Sequence, residues 1–336
     1  MRTTELIVIP VAVFLITALS CARGERENDT LVLRFSTVSV PKDAHTVCLY
    51  TFKEELEKST GGKVKVEIFH SGQLFTQEAE QAAVRRGSVD MVYSGPNWLA
   101  EYIPYFSMFT SGYIFDSYEH MTRVFNGEIG KRIFDDVAAE TGVRPLGAFY
   151  LGTRQLNLRD IGRQVRSPGD LKGVKLRMPN SPTWLFLGRA LGASPTTISF
   201  TELYMALKTG AVDGQDNPLP TTKNAKFYEV TKYIILTGHC VNSAFPVINE
   251  KLWQSLGPEL QARVYSAIEK ARLVCDRINL EAEAEMVDFF KDQGLTVIVP
   301  DKEAFMARVH QAYSENSKMT DEWDMDLYKK VQALAE

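Results

Sequence analysis

The sequence predicts an α/β protein built as two lobes, with one long helix spanning both. Three observations carry this reading. A chain of 336 residues, 45% hydrophobic and 24% charged, has the composition of an ordinary soluble protein and the length for two modest cores. Strand and helix patterns alternate through the first half, which predicts a mainly parallel sheet with helices on both faces. The run from Pro258 to Lys291 holds no glycine or proline after its first residue. It predicts a helix of about 34 residues, roughly 50 Å at the α-helical rise, and that exceeds one lobe.

The first twenty residues form an export signal: Arg2 supplies a positive start, Leu6 to Ile16 an apolar core, and Ala18-Leu19-Ser20 a small-residue cleavage region. The apolar run is too short to span a bilayer, which needs about 20 residues. Cys21 follows directly and resembles the acylated cysteine of a lipobox, so lipidation at Cys21 is expected, with plain signal removal as the alternative. Residues 21–30 are a tether. Leu31 to Thr37 is a strand. Asp43 caps a helix whose Cys48, Leu49, Phe52 and Leu56 share one face until Gly61-Gly62 ends it. Lys63 to Phe69 alternates as a half-buried strand, Gln77 to Arg86 is a helix stopped by Gly87, and Val89 to Tyr93 is the next strand. Gly95 to Tyr118 is aromatic and loop-like. Most of its rings fill the core, but Trp98 follows a strand end directly and is expected at the cleft edge, where open α/β sheets bind ligands. The chain crosses between lobes after about Tyr150 and returns near Asn242. Lobe 1 is therefore 31–151 and 243–282, and lobe 2 is 152–242 and 283–336, including a strand Thr296 to Pro300 and the last two helices.

The most informative block runs from Gly192 to Tyr233. Thr201 is expected to cap a helix from Glu202 to Lys208 that Gly210 terminates, and Ala211 to Asp213 to start a strand leading to a polar loop, Gly214 to Pro218. Asn217 precedes a proline and so is extended. Upstream, Arg154 lies in LGTRQL and Arg177 ends the run GVKLR. With LVLRFST, DLKGVKLRMP, GASPT, FTELYMALKTGAVDGQDNP and KFYEVTKY, these pieces closely resemble the substrate-binding proteins of TRAP transporters, the tripartite ATP-independent periplasmic uptake systems for organic acids. The resemblance covers the chain from about Leu31 onward. It implies a periplasmic-binding-protein-like fold with a spine helix, and a pocket in which Arg177 pairs with the ligand carboxylate while Arg154 and Asn217 assist. Phe200 stands where sialic-acid-binding relatives place a ring against the sugar, with ordinary core packing as the competing reading. Val38 stands where those relatives have an asparagine, Gly95 where they have a glutamate, and Trp98 replaces an arginine. Three losses of hydrogen-bonding capacity imply a ligand whose remainder is apolar, since buried hydroxyls without partners cost about 1 to 3 kcal/mol each.

Other functions find little support. The net charge is −4 without a long basic run, which speaks against nucleic acid. There is no GxSxG, HExxH, GxGxxG or Walker loop, and none of the five histidines has metal-ligand spacing. Asp213 and Asp216 are weak evidence for acid–base work. Cys48, Cys240 and Cys275 are an odd set without CxxC spacing, so neither a disulfide framework nor a thiolate metal site is indicated. The expected protein is an exported, periplasmic, lipid-anchored receptor without cofactor or metal. It would bind an organic monocarboxylate with an apolar tail and deliver it to small and large TRAP membrane subunits, with an accessory periplasmic protein as a further partner. An exported enzyme on the same bilobal scaffold, or a sensor that feeds no transporter, are the alternatives.

Overall fold

The computed structural model describes residues 30–335; the signal segment and Cys21 lie outside them. Among the described residues ten strands form one sheet: β1 (Leu31–Ser36), β2 (Val64–Phe69), β3 (Met91–Ser94), β4 (Val143–Pro145), β5 (Phe149–Leu158), β6 (Lys175–Met178), β7 (Ser194–Thr197), β8 (Gly214–Pro218), β9 (Tyr233–Asn249) and β10 (Thr296–Ile298). The order is β2-β1-β3-β9-β5-β8-β6-β7, with β4 and β10 also on β9. The outer pairs β1–β2, β1–β3, β6–β8 and β6–β7 are parallel, as alternating strands and helices require. The centre is not. β3–β9, β5–β9 and β5–β8 are antiparallel, because both passages of the chain between the halves are themselves strands, β5 and the 17-residue β9.

Helix Ala44–Ser59 buries Cys48, Leu49, Phe52 and Leu56 on one stripe, the spacing that the sequence shows. Asp43 does not cap it. Its carboxylate accepts instead from Ser39 Oγ at 2.9 Å and from the Val40 amide at 3.2 Å. Helix Gln77–Arg86 ends at Gly87 in the left-handed conformation, as expected. The aromatic segment after β3 is more ordered than a loop, with a short helix Pro96–Leu99 and a 3₁₀ turn Pro104–Thr110. Two further local expectations fail. Thr201 caps nothing, since a 3₁₀ turn Phe200–Glu202 runs into helix Leu203–Thr209. The polar loop is strand β8, every residue of it buried.

The long helix spans Gly257–Asp292, 36 residues. Its first half packs Val264, Ile268, Ala271 and Cys275 against Cys48, Leu49 and Phe52 in the core below β1–β3. Its last turns put Met286 and Phe290 against Leu219, Ile234 and Leu295 on the other half. Between them it grips β5 where the chain crosses. The Tyr150 amide donates to Asp276 Oδ1 at 2.7 Å, Asn279 Nδ2 to the Tyr150 carbonyl at 2.6 Å, and the Thr153 amide to Glu283 Oε1 at 2.6 Å. Gly152, between these bonds, has φ +120°, and a Cβ there would lie 2.6 Å from Pro218. Only glycine fits the crossing. The final helix, Met325–Gln332, sets Leu327 and Val331 among Phe115, Met121 and Val124, so it packs on the first half and not with the second, where the sequence reading put it.

Candidate ligand-binding site

The strand ends open onto one cavity of about 100 Å³ between the two halves. All seven residues singled out in the sequence, Arg177, Arg154, Asn217, Phe200, Trp98, Val38 and Gly95, border it. The mouth is drawn together: Asn224 Nδ2 on the second half donates to Asp43 Oδ1 at 3.0 Å and to the Lys42 carbonyl at 3.2 Å on the first.

Arg177 on β6 is 1% exposed. Its Nε donates to the Ile198 carbonyl at 2.7 Å, and its Nη2 is buried without a partner. Among the described residues no carboxylate lies within ion-pair distance of it. Burial pushes its pKa down to about 10, with Asp216 opposing and Arg154 adding to the fall. A cation removed from water without compensation is costly, and a planar guanidinium best meets two carboxylate oxygens.

Arg154 is held otherwise. From β5 it reaches Asp216 through Nε at 2.6 Å and Nη2 at 3.1 Å, donates Nη1 to Asn242 Oδ1 at 2.9 Å, and stacks over Trp184 at 4.4 Å. Burial alone would raise the Asp216 carboxyl. Arg154 and His239, whose Nε2 lies 3.2 Å away, outweigh it and hold that carboxyl well below the usual range. The charge of Arg154 is thus answered within the protein, and that of Arg177 is not. Asp213, the other acid of the segment, accepts from the Lys175 amide at 2.8 Å, so the two carboxylates serve packing partners of their own. Asn217 Nδ2 is bonded to Gln215 Oε1 at 2.6 Å, and Gln215 in turn to Asn157 and Thr222. Phe200 packs edge-on against Phe227, 5.8 Å between centroids, while bordering the cavity, so ring packing and cavity wall coincide.

The first-half wall holds polar groups that the sequence reading missed. Ser94 Oγ and Asn97 Nδ2 are buried with no partner, and both residues line the cavity. Gly95 makes room for one of them: a Cβ there would meet Asn97 Oδ1 at 3.2 Å. Glu80, 1% exposed, joins them from helix Gln77–Arg86. The signal for Asn97 was its place three residues beyond the end of β3. For Glu80 it was a carboxylate on the same helical stripe as Ala83 and Val84.

A family model described as bacterial extracellular solute-binding protein, family 7, matches residues 35–319. The sialic acid-binding periplasmic protein SiaP of Vibrio cholerae is 35% identical over 262 residues, 78% of this chain and 81% of that one. A TRAP periplasmic solute-binding protein of Roseobacter denitrificans, solved with bound 3-deoxy-D-manno-oct-2-ulosonic acid, superposes with a TM-score of 0.87 at 38% identity, covering 91% of this chain and 100% of that one. A second protein from that organism, solved with L-galactonate, gives 0.83 at 31% identity over 91% and 99%.

Proposed function

The chain belongs to family 7 of the bacterial extracellular solute-binding proteins, the receptors of TRAP transporters, and on that premise we propose that its cavity takes a monocarboxylate whose remainder carries hydroxyls. The observation that carries this is the combination of a buried guanidinium without countercharge, Arg177, and two unpartnered polar groups, Ser94 Oγ and Asn97 Nδ2, bordering the same space. A ligand carboxylate on Arg177 Nη2 compensates the first, and ligand hydroxyls compensate the others. The apolar tail expected from Val38, Gly95 and Trp98 gives way in this reading, because the polar capacity absent at those positions recurs at Ser94, Asn97 and Glu80. Arg154 acts as a positioning residue that fixes Asn242 and Trp184, and Asn217 and Phe200 supply the opposite wall. The lobes divide at the β5 and β9 crossings, with the final helix returning to the first lobe. Delivery to TRAP membrane subunits, export, and anchoring through Cys21 complete the reading. No covalent step is needed.

Thermal-shift measurements on matched acids test it. Stabilisation by at least one of 3-deoxy-D-manno-oct-2-ulosonic acid, sialic acid and L-galactonate is expected, with less from branched aliphatic or aromatic carboxylates of similar size. Stabilisation by the apolar acids alone would overturn it.

A further inference from the structure

Asp43 and Glu80 are the acidic side chains on the cavity wall, and among the described residues Glu80 has no ion-pair partner. It projects from helix Gln77–Arg86 beneath the strand ends, and its only hydrogen bond among the described residues is from Ser36 Oγ to Oε1, at 2.7 Å. Among the described residues the second oxygen has no hydrogen-bond partner, and the residue borders the cavity.

The charged and titratable groups around it give no countercharge. On the neighbouring helix start, Asp43 is occupied by Ser39, Val40 and Asn224, and burial holds the His45 imidazole toward its neutral form. On β3, burial pushes Tyr93 well above the usual phenol range, and its hydroxyl is given to the His45 carbonyl at 2.6 Å. Glu78, on the same helix, is a like charge. Across the cavity Arg154 is committed to Asp216, which leaves Arg177 for the ligand. Burial accordingly pushes the Glu80 carboxyl up to about 8, with the Ser36 hydroxyl opposing and Glu78 adding to the rise.

We propose that Glu80 is a specificity-determining residue that meets the ligand as a neutral carboxylic acid, donating from its free oxygen to a hydroxyl of a monoanionic sugar acid. The assignment rests on the functional reading above and deepens it. A neutral acid is both donor and acceptor, so it suits a hydroxyl, which is the same. Once ionised, it becomes acceptor-only and places a second negative charge in the cavity beside an anionic ligand. Binding is strongest while Glu80 keeps its proton and weakens as pH rises past about 8.

The test is calorimetry from pH 6 to pH 9 with 3-deoxy-D-manno-oct-2-ulosonic acid, or with whichever sugar acid of the thermal-shift panel stabilises most. For the wild-type protein, Kd should be flat near neutrality and rise above about pH 8 toward a limit of roughly tenfold per pH unit, as loss of one required proton dictates. At pH 8.5, buffers of different ionisation enthalpy should reveal proton uptake on binding. Glu80→Gln keeps a donor without a titrating group, so it should bind within a few-fold of wild type at pH 7 with a flat profile. Glu80→Ala should bind at least tenfold more weakly. A wild-type profile flat to pH 9 without proton uptake overturns the assignment and leaves the receptor reading intact, as does a Glu80→Gln profile that declines like wild type. Absence of any sugar-acid binding at pH 7 overturns the receptor reading and this assignment with it. The wild-type profile needs no variant to fold.

Discussion

Arg177→Met should act with opposite signs on the empty protein and on its complex. In the empty cleft the guanidinium is buried with Nη2 unpartnered. The fall of its pKa from 12.5 to about 10 corresponds to a penalty of about 3 kcal/mol on the charged form. Methionine removes that penalty while filling similar space, and forfeits the bond to the Ile198 carbonyl, about 1 kcal/mol. The ligand-free variant should therefore be more stable than wild type by about 2 kcal/mol, the expected behaviour when an uncompensated buried charge is replaced by an apolar group. Binding should move the other way. Removing one partner of a desolvated charge pair costs about 2 to 5 kcal/mol, so Kd should rise roughly 30- to 4000-fold. Denaturant unfolding of the empty protein and calorimetry with a sugar acid measure the two effects. A variant that binds like wild type would remove Arg177 from the ligand. One that binds weakly but is also destabilised by several kcal/mol would show that Arg177 serves the fold.

Asp216→Asn takes away the countercharge of Arg154 in a fully buried setting and should cost about 3 to 5 kcal/mol of stability by denaturant unfolding; a loss under 1 kcal/mol would show the pair to be dispensable. Asn224→Ala removes the donor that ties the two halves at Asp43. Because this contact is only partly buried it should cost about 1 kcal/mol, seen as a several-fold faster ligand release in stopped-flow measurements, and an unchanged release rate would show that the contact does not hold the cleft closed. Cys21→Ser should abolish labelling of the exported protein by radioactive palmitate in a bacterial host; absence of label in the wild type would refute anchoring at Cys21.

How much of this was legible in the sequence depended on the kind of signal. Helices with one apolar stripe and a glycine stop, such as Gln77–Arg86, read correctly because periodicity and the left-handed stop are local properties. The length of the long helix read correctly because the absence of glycine and proline over the run is a local property too. Strand β8 did not, because Gln215, Asp216 and Asn217 are polar, and their burial is made possible by partners far along the chain: Asn157, Arg154 and His239. A hydrophobic alternation test cannot see a strand stabilised in that way. The caps assigned to Asp43 and Thr201 failed for different reasons: the Asp43 side chain goes to Ser39 and Asn224, and a 3₁₀ turn puts Glu202, not Thr201, before the helix. Within the site, the arginines stood out through their motifs, but the difference between them did not. That Arg154 is neutralised and Arg177 is not follows only from distances to Asp216. Val38, Gly95 and Trp98 mark a loss of polar capacity, but Ser94 and Asn97 stand one and two residues from Gly95, and Glu80 reaches the cavity from a different element, helix Gln77–Arg86, which no local motif marks.

The most direct test of the account is a crystal structure of the complex with the sugar acid that stabilises the protein most. The account predicts the ligand carboxylate within hydrogen-bonding distance of Arg177 Nη2, and ligand hydroxyls on Ser94 Oγ and Asn97 Nδ2, the groups left without partners in the empty cavity. A carboxylate bound elsewhere, with Arg177 Nη2 still unpartnered, would contradict it.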